Sequence, residues 1–207
     1  MPVVLPEARV TVTDIRPEVR IEPLTPDLWP AFEALFGPSG ACYGCWCTGF
    51  RLRPKIRQEF KNDDKREVMR RRVEAGPPPG LLALRGDVAI GWMQIGPRAD
   101  VPEWNNPGRS SAPLEDGAGD DPGVWAVSCF FFASKERGKG LSHHMLTAGM
   151  EHARLSGARI LEASPMDRAK QSKSIGLFVG STRVFERAGF QTMITRKEGR
   201  PLMRLVL

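Results

Sequence analysis

The chain lacks any apolar run approaching the roughly 18 residues that a membrane-crossing helix needs. Its first residues, MPVVLPEARV, lack the basic segment followed by an apolar core that marks a secretory leader. A cytoplasmic protein is therefore expected, and structural disulfides are not. Tyrosine is nearly missing: Tyr43 is the only one among 207 residues. The two common phosphate-binding signatures are absent as well. A P-loop needs a glycine five residues before Gly138, where Ala133 stands. A dinucleotide fingerprint needs a third glycine at the position of His143. No single-sign charge block dominates either. The formal charge of +6 comes from basic residues that are dispersed and, across Lys61–Arg72, interleaved with acids. The dense cluster Arg70–Arg72 reads as a solvated helix face, so no nucleic-acid partner is expected.

What is present is concentrated in one stretch, FFFASKERGKGLS, from Phe130 to Ser142. An apolar run leads into a basic turn, and a helical pattern follows. Gly138 and Gly140 allow the backbone to come close to a ligand. A helix starting there points free N–H groups and the positive end of its dipole into the turn. Such a turn suits a phosphate or pyrophosphate.

Prolines and glycines punctuate the rest, 18 and 21 of them, which calls for many turns. A hydrophobic share of 41% suffices for one core, so residues 1–19 are expected to form an extension and 20–207 a single domain. A first strand is expected at Ile21–Leu24. Thr25, Pro26 and Asp27 then open a helix whose apolar face is Trp29, Phe32, Leu35 and Phe36. A loop, CYGCWC, separates it from a second helical region over Pro54–Ala75. Strands follow at Leu81–Leu84 and Val88–Ile95, joined at Gly86-Asp87. Ala99–Gly123 has no apolar period and reads as a mobile loop or a lid. Trp125–Phe132 is largely apolar and should be buried on both faces. The helix after the turn carries the stripe Leu141, Met145, Ala148, His152 and Leu155, with His152 read as a core histidine. A strand at Ala158–Ala163, a helix at Ser181–Ala188 and a final hairpin, Gln191–Arg196 with Leu202–Leu207, complete a mixed α/β order.

Arg137-x-x-Gly140-x-Ser142 resembles the pyrophosphate loop of the GNAT superfamily of acyl-CoA-dependent N-acetyltransferases. GSTRVFERAGF, Gly180–Phe190, resembles the helix and turn that close that fold, with Gly189 as the helix cap. The Cys-Trp-Cys segment is similar to that of a bacterial branch of the superfamily. The resemblance implies a central mixed, mostly antiparallel sheet of about six to seven strands flanked by helices. It implies a splay between the strands at 125–132 and 158–163, into which the pantetheine arm of acetyl-CoA would enter. Backbone groups of Phe130 and Phe132 would pair with the arm, and Ser181 would lie beside it. Arg137, Gly138, Lys139, Gly140, Leu141 and Ser142 would hold the pyrophosphate, whose charge accounts for part of the basic excess.

The implied reaction is direct attack of a primary amine on the thioester in a ternary complex. The acceptor would be a small-molecule or protein amine, and a homodimer is common in the superfamily. The chain departs from the family at two points: Phe185 stands where a tyrosine often protonates the departing thiolate, and Phe178 where an asparagine often contacts the cofactor. The acid role passes to water, Tyr43 or a thiol. The alternative is a CoA-binding module that no longer catalyses.

Glu162, inside the apolar strand ILEAS, is the first candidate base, because an ionised carboxylate there must line a wet cleft or be partnered. Arg159 and Arg168 are the partners in view, and Asp167 is the second candidate base. Replacing Glu162 by glutamine is expected to lower turnover without changing CoA affinity. Trp46, Cys47 and Trp104 are the candidate acceptor contacts, whereas Trp92 reads as core. Cys42, Cys45 and Cys47 form C-x-x-C-x-C, which could hold zinc only with Cys129 as fourth ligand. Buried thiols beside a substrate channel are the preferred reading, with no metal.

Overall fold

A computed structural model describes residues 19–115, 117–167 and 177–207. Seven strands form one sheet in the order β1-β2-β3-β4-β5-β7-β6. They are β1 Val19–Pro23, β2 Gly80–Arg85, β3 Val88–Pro97, β4 Val124–Phe132, β5 Ile160–Ala163, β6 Gln191–Lys197 and β7 Arg200–Val206. Every pairing is antiparallel except β4 with β5. The five α-helices are α1 Trp29–Phe36, α2 Pro54–Glu59, α3 Asn62–Ala75, α4 Leu141–Leu155 and α5 Thr182–Arg187. β1 starts at Val19, and the expected extension falls almost wholly on residues 1–18, outside the described part.

Alternation along β2 and β3 explains why both faces are covered. Leu81, Ala83, Met93 and Ile95 face α4, and Met145, Leu146 and Ala153 of that helix close the core over them. Leu82, Leu84 and Trp92 face the other way, where Phe32, Phe36, Met69 and Val73 of α1 and α3 pack on them. The buried face of α4 is Met145, Leu146, Gly149 and Ala153, while Leu155 is 80% exposed. The stripe read from the sequence is thus displaced. Its periodicity favours large side chains, but α4 approaches β3 so closely that a Cβ on Gly149 would meet Met93 Cε at 2.4 Å. His152 is half-buried and edge-on to Trp125, and burial lowers its pKa.

The expected single helix at 54–75 is two. Phe60 is extended, and α3 restarts with the Lys61 N–H donating to Asp64 Oδ2 at 2.8 Å. Helical Pro26–Leu28 precedes α1 as a 3-10 turn, and Thr25 makes no side-chain cap.

The described residues of 99–123 do not form a free lid. The segment carries its own apolar contacts, Val101 and Trp104 against Ala126 and Leu202, and it is pinned by arginines. Arg196 donates to the carbonyls of Ser110, Ala112 and Pro113, and Arg204 is bidentate to Glu115 at 2.9 and 2.8 Å. A proline- and glycine-rich segment reads as mobile because its anchors lie on distant β6 and β7.

Candidate active site

β4 is longer than its parallel neighbour. The two strands pair from Val124↔Ile160 to Val127↔Ala163, and β5 then ends. β4 runs on to Phe132 beyond the end of β5, and among the described residues its backbone groups from residue 128 onward have no ladder on that side. On its other side the β3 register jumps between Gln94↔Cys129 and Ile95↔Val127, which leaves Ser128 as an extra residue. Such a bulge bends the strand and re-aims its side chains.

At the end of β4 the chain turns into α4. Gly138 and Gly140 have φ of 78° and 82°, in the left-handed region that glycine adopts without strain. No heavy atom lies within 4 Å of where a Cβ would stand on either, so the turn is open on its outer side. No side chain caps α4, so the first-turn N–H groups face that opening. Arg85 clamps Glu136 in the preceding turn with contacts of 2.7 and 3.0 Å. That guanidinium holds the Glu136 carboxyl below its usual range. A first cavity of about 390 Å³ occupies this corner, lined by Phe130, Phe131, Phe132, Arg137, Gly138, Gly140, Leu141, Ser142, Phe178 and Ser181 among others.

A second cavity, about 720 Å³, shares Phe131, Arg137 and Phe178 with the first. Its walls are aromatic (Phe36, Phe50) and basic (Arg57, Lys65), with Gln94, Ser128, Cys129 and the CYGCWC loop completing them. The loop is held in an unusual backbone. Ala41, Tyr43, Trp46 and Cys47 all have positive φ, between 46° and 61°. Non-glycine residues occupy that region only where their surroundings dictate it. Trp46 supplies the anchor: its ring stacks on Phe36 at 5.6 Å, and its Nε1 donates to Asn62 Oδ1 at 2.7 Å.

A family model described as the acetyltransferase (GNAT) family matches residues 46–190, well over half of the chain. The chain belongs to this GNAT family. No curated protein sequence matches it. Among solved structures it is similar to yncA of Salmonella typhimurium with its cofactor acetyl-CoA, at 17% identity and a TM-score of 0.52, covering 91% of this chain and 94% of that one. A ribosomal-protein-alanine N-acetyltransferase from Brucella melitensis gives 18% and 0.52, covering 91% and 99%. An acetyltransferase of Streptococcus pneumoniae gives 13% and 0.52, covering 92% and 99%. At these identities the likeness is one of fold, and it matches the mostly antiparallel seven-stranded sheet with its single parallel step.

Within this GNAT domain the residues named for the cofactor gather in one place. Phe130, Phe132, Arg137, Gly138, Gly140, Leu141, Ser142 and Ser181 all line the first cavity. Lys139 does not line it, and its Nζ lies 3.5 Å from Glu136 Oε2. Tyr43 and Cys47 line the second cavity, with Tyr43 98% exposed and Cys47 buried.

The remaining expectations need correction. Glu162 is fully buried and lines neither of the two cavities. Arg98 Nη1 donates to its Oε2, and Arg204 donates to its Oε1 from Nε at 2.9 Å and Nη2 at 2.7 Å. Both carboxylate oxygens are taken up by guanidinium donors inside the core, an ion-pair position away from any substrate. Neither partner is one considered from the sequence: Arg159 pairs with Asp121, and Arg168 lies outside the described residues. Burial pulls the Arg98 pKa down, and the Glu162 charge opposes this. Asp167 lines neither cavity, and its backbone N–H bonds the Gly199 carbonyl. Trp46 is loop anchor rather than cavity wall, and Trp104 is buried under the Arg98 guanidinium at 4.5 Å. Phe185 is fully buried, edge-on to Phe130 at 6.1 Å.

The sequence reading missed Ser128, Gln94 and Phe131 as site residues, and placed the cysteines beside a substrate channel without naming Cys129 as a wall of it. Strand alternation could have assigned Phe131 to the face opposite Phe130 and Phe132, but the bulge at Ser128 breaks the period just before it. Among the described residues no group of three or more His, Cys, Asp or Glu converges as metal ligands do. No described helix is long and apolar enough to cross a membrane.

Proposed function

We propose that the chain transfers an acetyl group from acetyl-CoA to a primary amine by direct attack in a ternary complex. One observation carries this reading. Two cavities meet at the unpaired edge of β4, one running into the open glycine turn and the other into an aromatic pocket. The first suits an extended thioester arm ending in a pyrophosphate. Exposed N–H groups at the start of α4 and the positive end of its dipole match the diphosphate charge. The free edge of Phe130–Phe132 offers backbone partners to the amides of the arm, as an added strand would. The aromatic cavity takes the acceptor, so that amine and thioester meet near Phe131, Arg137 and Phe178.

The buried Phe185 supplies no proton to the CoA sulfur. CoA thiolate is a tolerable leaving group, so turnover does not require that acid. The second cavity, which a pure CoA sensor would not need, favours catalysis over the binding-only alternative.

Thermal unfolding with acetyl-CoA, free CoA and a nucleotide without the thioester tests the first half of the reading. Acetyl-CoA at 100 times its dissociation constant is expected to stabilise the fold by about 2.7 kcal/mol. A melting temperature unmoved by millimolar acetyl-CoA would sink the proposal. Chromatographic detection of CoA release across a panel of amines then tests the transfer itself.

A further inference from the structure

The acceptor cavity has no carboxylate and no imidazole among its described lining residues. An amine arrives as an ammonium ion and must lose a proton before it can attack. Glu162 is locked between two arginines, and the Tyr43 hydroxyl stands in solvent. What does line this cavity is a set of thiols, Cys45, Cys47 and Cys129.

The Trp92 indole N–H donates to Cys47 Sγ at 2.9 Å. Cys129 lines the same cavity, and its hydrogen bond favours the charged form of Cys47. An N–H donor aimed at the sulfur with a cation nearby suits a thiolate. The groups that act on it are Trp92, Cys129, Arg51 and Cys45, and its cavity is lined besides by Tyr43 of its own loop, Arg57 of α2, Lys65 of α3, Gln94 of β3 and Arg137 of the glycine turn. All the charged ones are cationic. Arg51 is fixed in turn by the Asp100 carbonyl at 2.8 Å and by the Asp100 carboxylate at 3.6 Å. Burial alone would push the Cys47 thiol up. The Cys129 and Trp92 hydrogen bonds and the Arg51 charge outweigh it and hold Cys47 below its ordinary value. Cys45, by contrast, is pushed up to about 11, first by burial and then by the neighbouring Cys47 charge.

Two further features point to a ligand here. Ser128 Oγ, at the β4 bulge, is buried, lines this cavity and has no hydrogen-bond partner. Four consecutive-region residues, Ala41, Tyr43, Trp46 and Cys47, hold positive φ, and the last of them is the thiol itself. Backbone strain of this kind persists at sites where a side chain must be aimed.

We propose that Cys47 is a catalytic residue, the base that takes a proton from the acceptor ammonium. This rests on the acetyl-transfer reading above. The Cys47 thiolate accepts one proton from R–NH3+, giving the thiol and R–NH2. The amine lone pair forms the C–N bond at the thioester carbonyl, and the C–S bond breaks as the tetrahedral adduct collapses. The remaining surplus proton on nitrogen passes to the CoA sulfur, giving the amide and CoA–SH. Cys47 then releases its proton to solvent and returns to thiolate. The Cys129 thiol has the Phe130 carbonyl as an acceptor at 3.7 Å.

Thiolate absorbance at 240 nm, followed across pH on the intact chain and on Cys47→Ser, tests the charge state without any acceptor. The wild type is expected to show a transition below the ordinary thiol value of about 8.5, and Cys47→Ser is expected to lose it. A difference spectrum with its midpoint at or above that value overturns the proposal. Turnover with acetyl-CoA is then followed by CoA release, with 2-phenylethylamine as the probe amine for the phenylalanine-lined cavity. Cys47→Ser is expected to lower kcat roughly 100-fold or more. The wild-type acid limb of kcat should coincide with the 240 nm midpoint and should vanish in the variant. Cys47→Ser that keeps kcat within about threefold of wild type overturns the proposal. The melting shift with acetyl-CoA is expected to persist in Cys47→Ser, which separates this idea from the cofactor reading. A wild type without that shift sinks the cofactor reading while the absorbance titration still stands on its own.

Discussion

Glu162→Gln is expected to cost the fold about 3–5 kcal/mol, the range for removing one partner of a buried ion pair. The reason lies in what remains. Arg98 is fully buried, and its other contacts are neutral: Asn105 Oδ1 at 3.0 Å, the Ser111 carbonyl at 2.6 Å and the Trp104 ring. Without the Glu162 charge a buried guanidinium has no counter-ion, whereas Arg204 keeps Glu115. For a chain of this size the loss corresponds to a melting temperature roughly 6–20 °C lower. Urea unfolding of wild type and variant is the measurement. A loss below about 1 kcal/mol would show that the three-residue network contributes little. The outcome also separates the two roles that a carboxylate in ILEAS could have. A base would lower kcat at constant stability, while the ion-pair anchor lowers stability and leaves kcat of the surviving folded fraction largely intact.

Gly140→Asp is expected to weaken acetyl-CoA binding by roughly 30- to 150-fold while changing fold stability by only about 1 kcal/mol. Asp tolerates the left-handed backbone better than most residues, and at the N-cap its carboxylate can bond the same first-turn N–H groups. It would therefore cap α4 internally and set a negative charge where the pyrophosphate is proposed to sit. Two to three kcal/mol, the value of charge-assisted hydrogen bonds, converts to that fold-change. Calorimetric titration with acetyl-CoA checks it. Equal affinity in wild type and variant would move the pyrophosphate away from this turn.

The parts of this protein that were legible in its sequence are those whose physics is local. The glycine turn needs only neighbouring residues: two left-handed glycines, an uncapped helix start and a preceding strand. The same holds for β2 and β3, whose alternation and intervening Gly86-Asp87 turn lie within 18 residues, Gly80 to Pro97. Legibility failed where the deciding partner is remote. The α4 stripe was displaced because the sheet, and not the helix, chooses which face lies closest, and it chose the face carrying Gly149. The segment 98–123 looked unanchored because its anchors, Arg196 and Arg204, belong to strands some ninety residues later.

The sequence by itself determined a mixed α/β domain with a phosphate-ready turn between an apolar strand and a helix, since such a turn is a matter of backbone dihedrals and adjacent dipoles. Only the tertiary structure decided what the ionisable groups do. The order β3-β4-β5-β7 carries Arg98 and Arg204 to Glu162 and makes it an anchor. The packing of Trp46 between α1 and α3 turns Cys47 toward Trp92 and Cys129. A charge is made structural or reactive by the partners that the fold brings within 3 or 4 Å of it, and those partners come from distant parts of the chain.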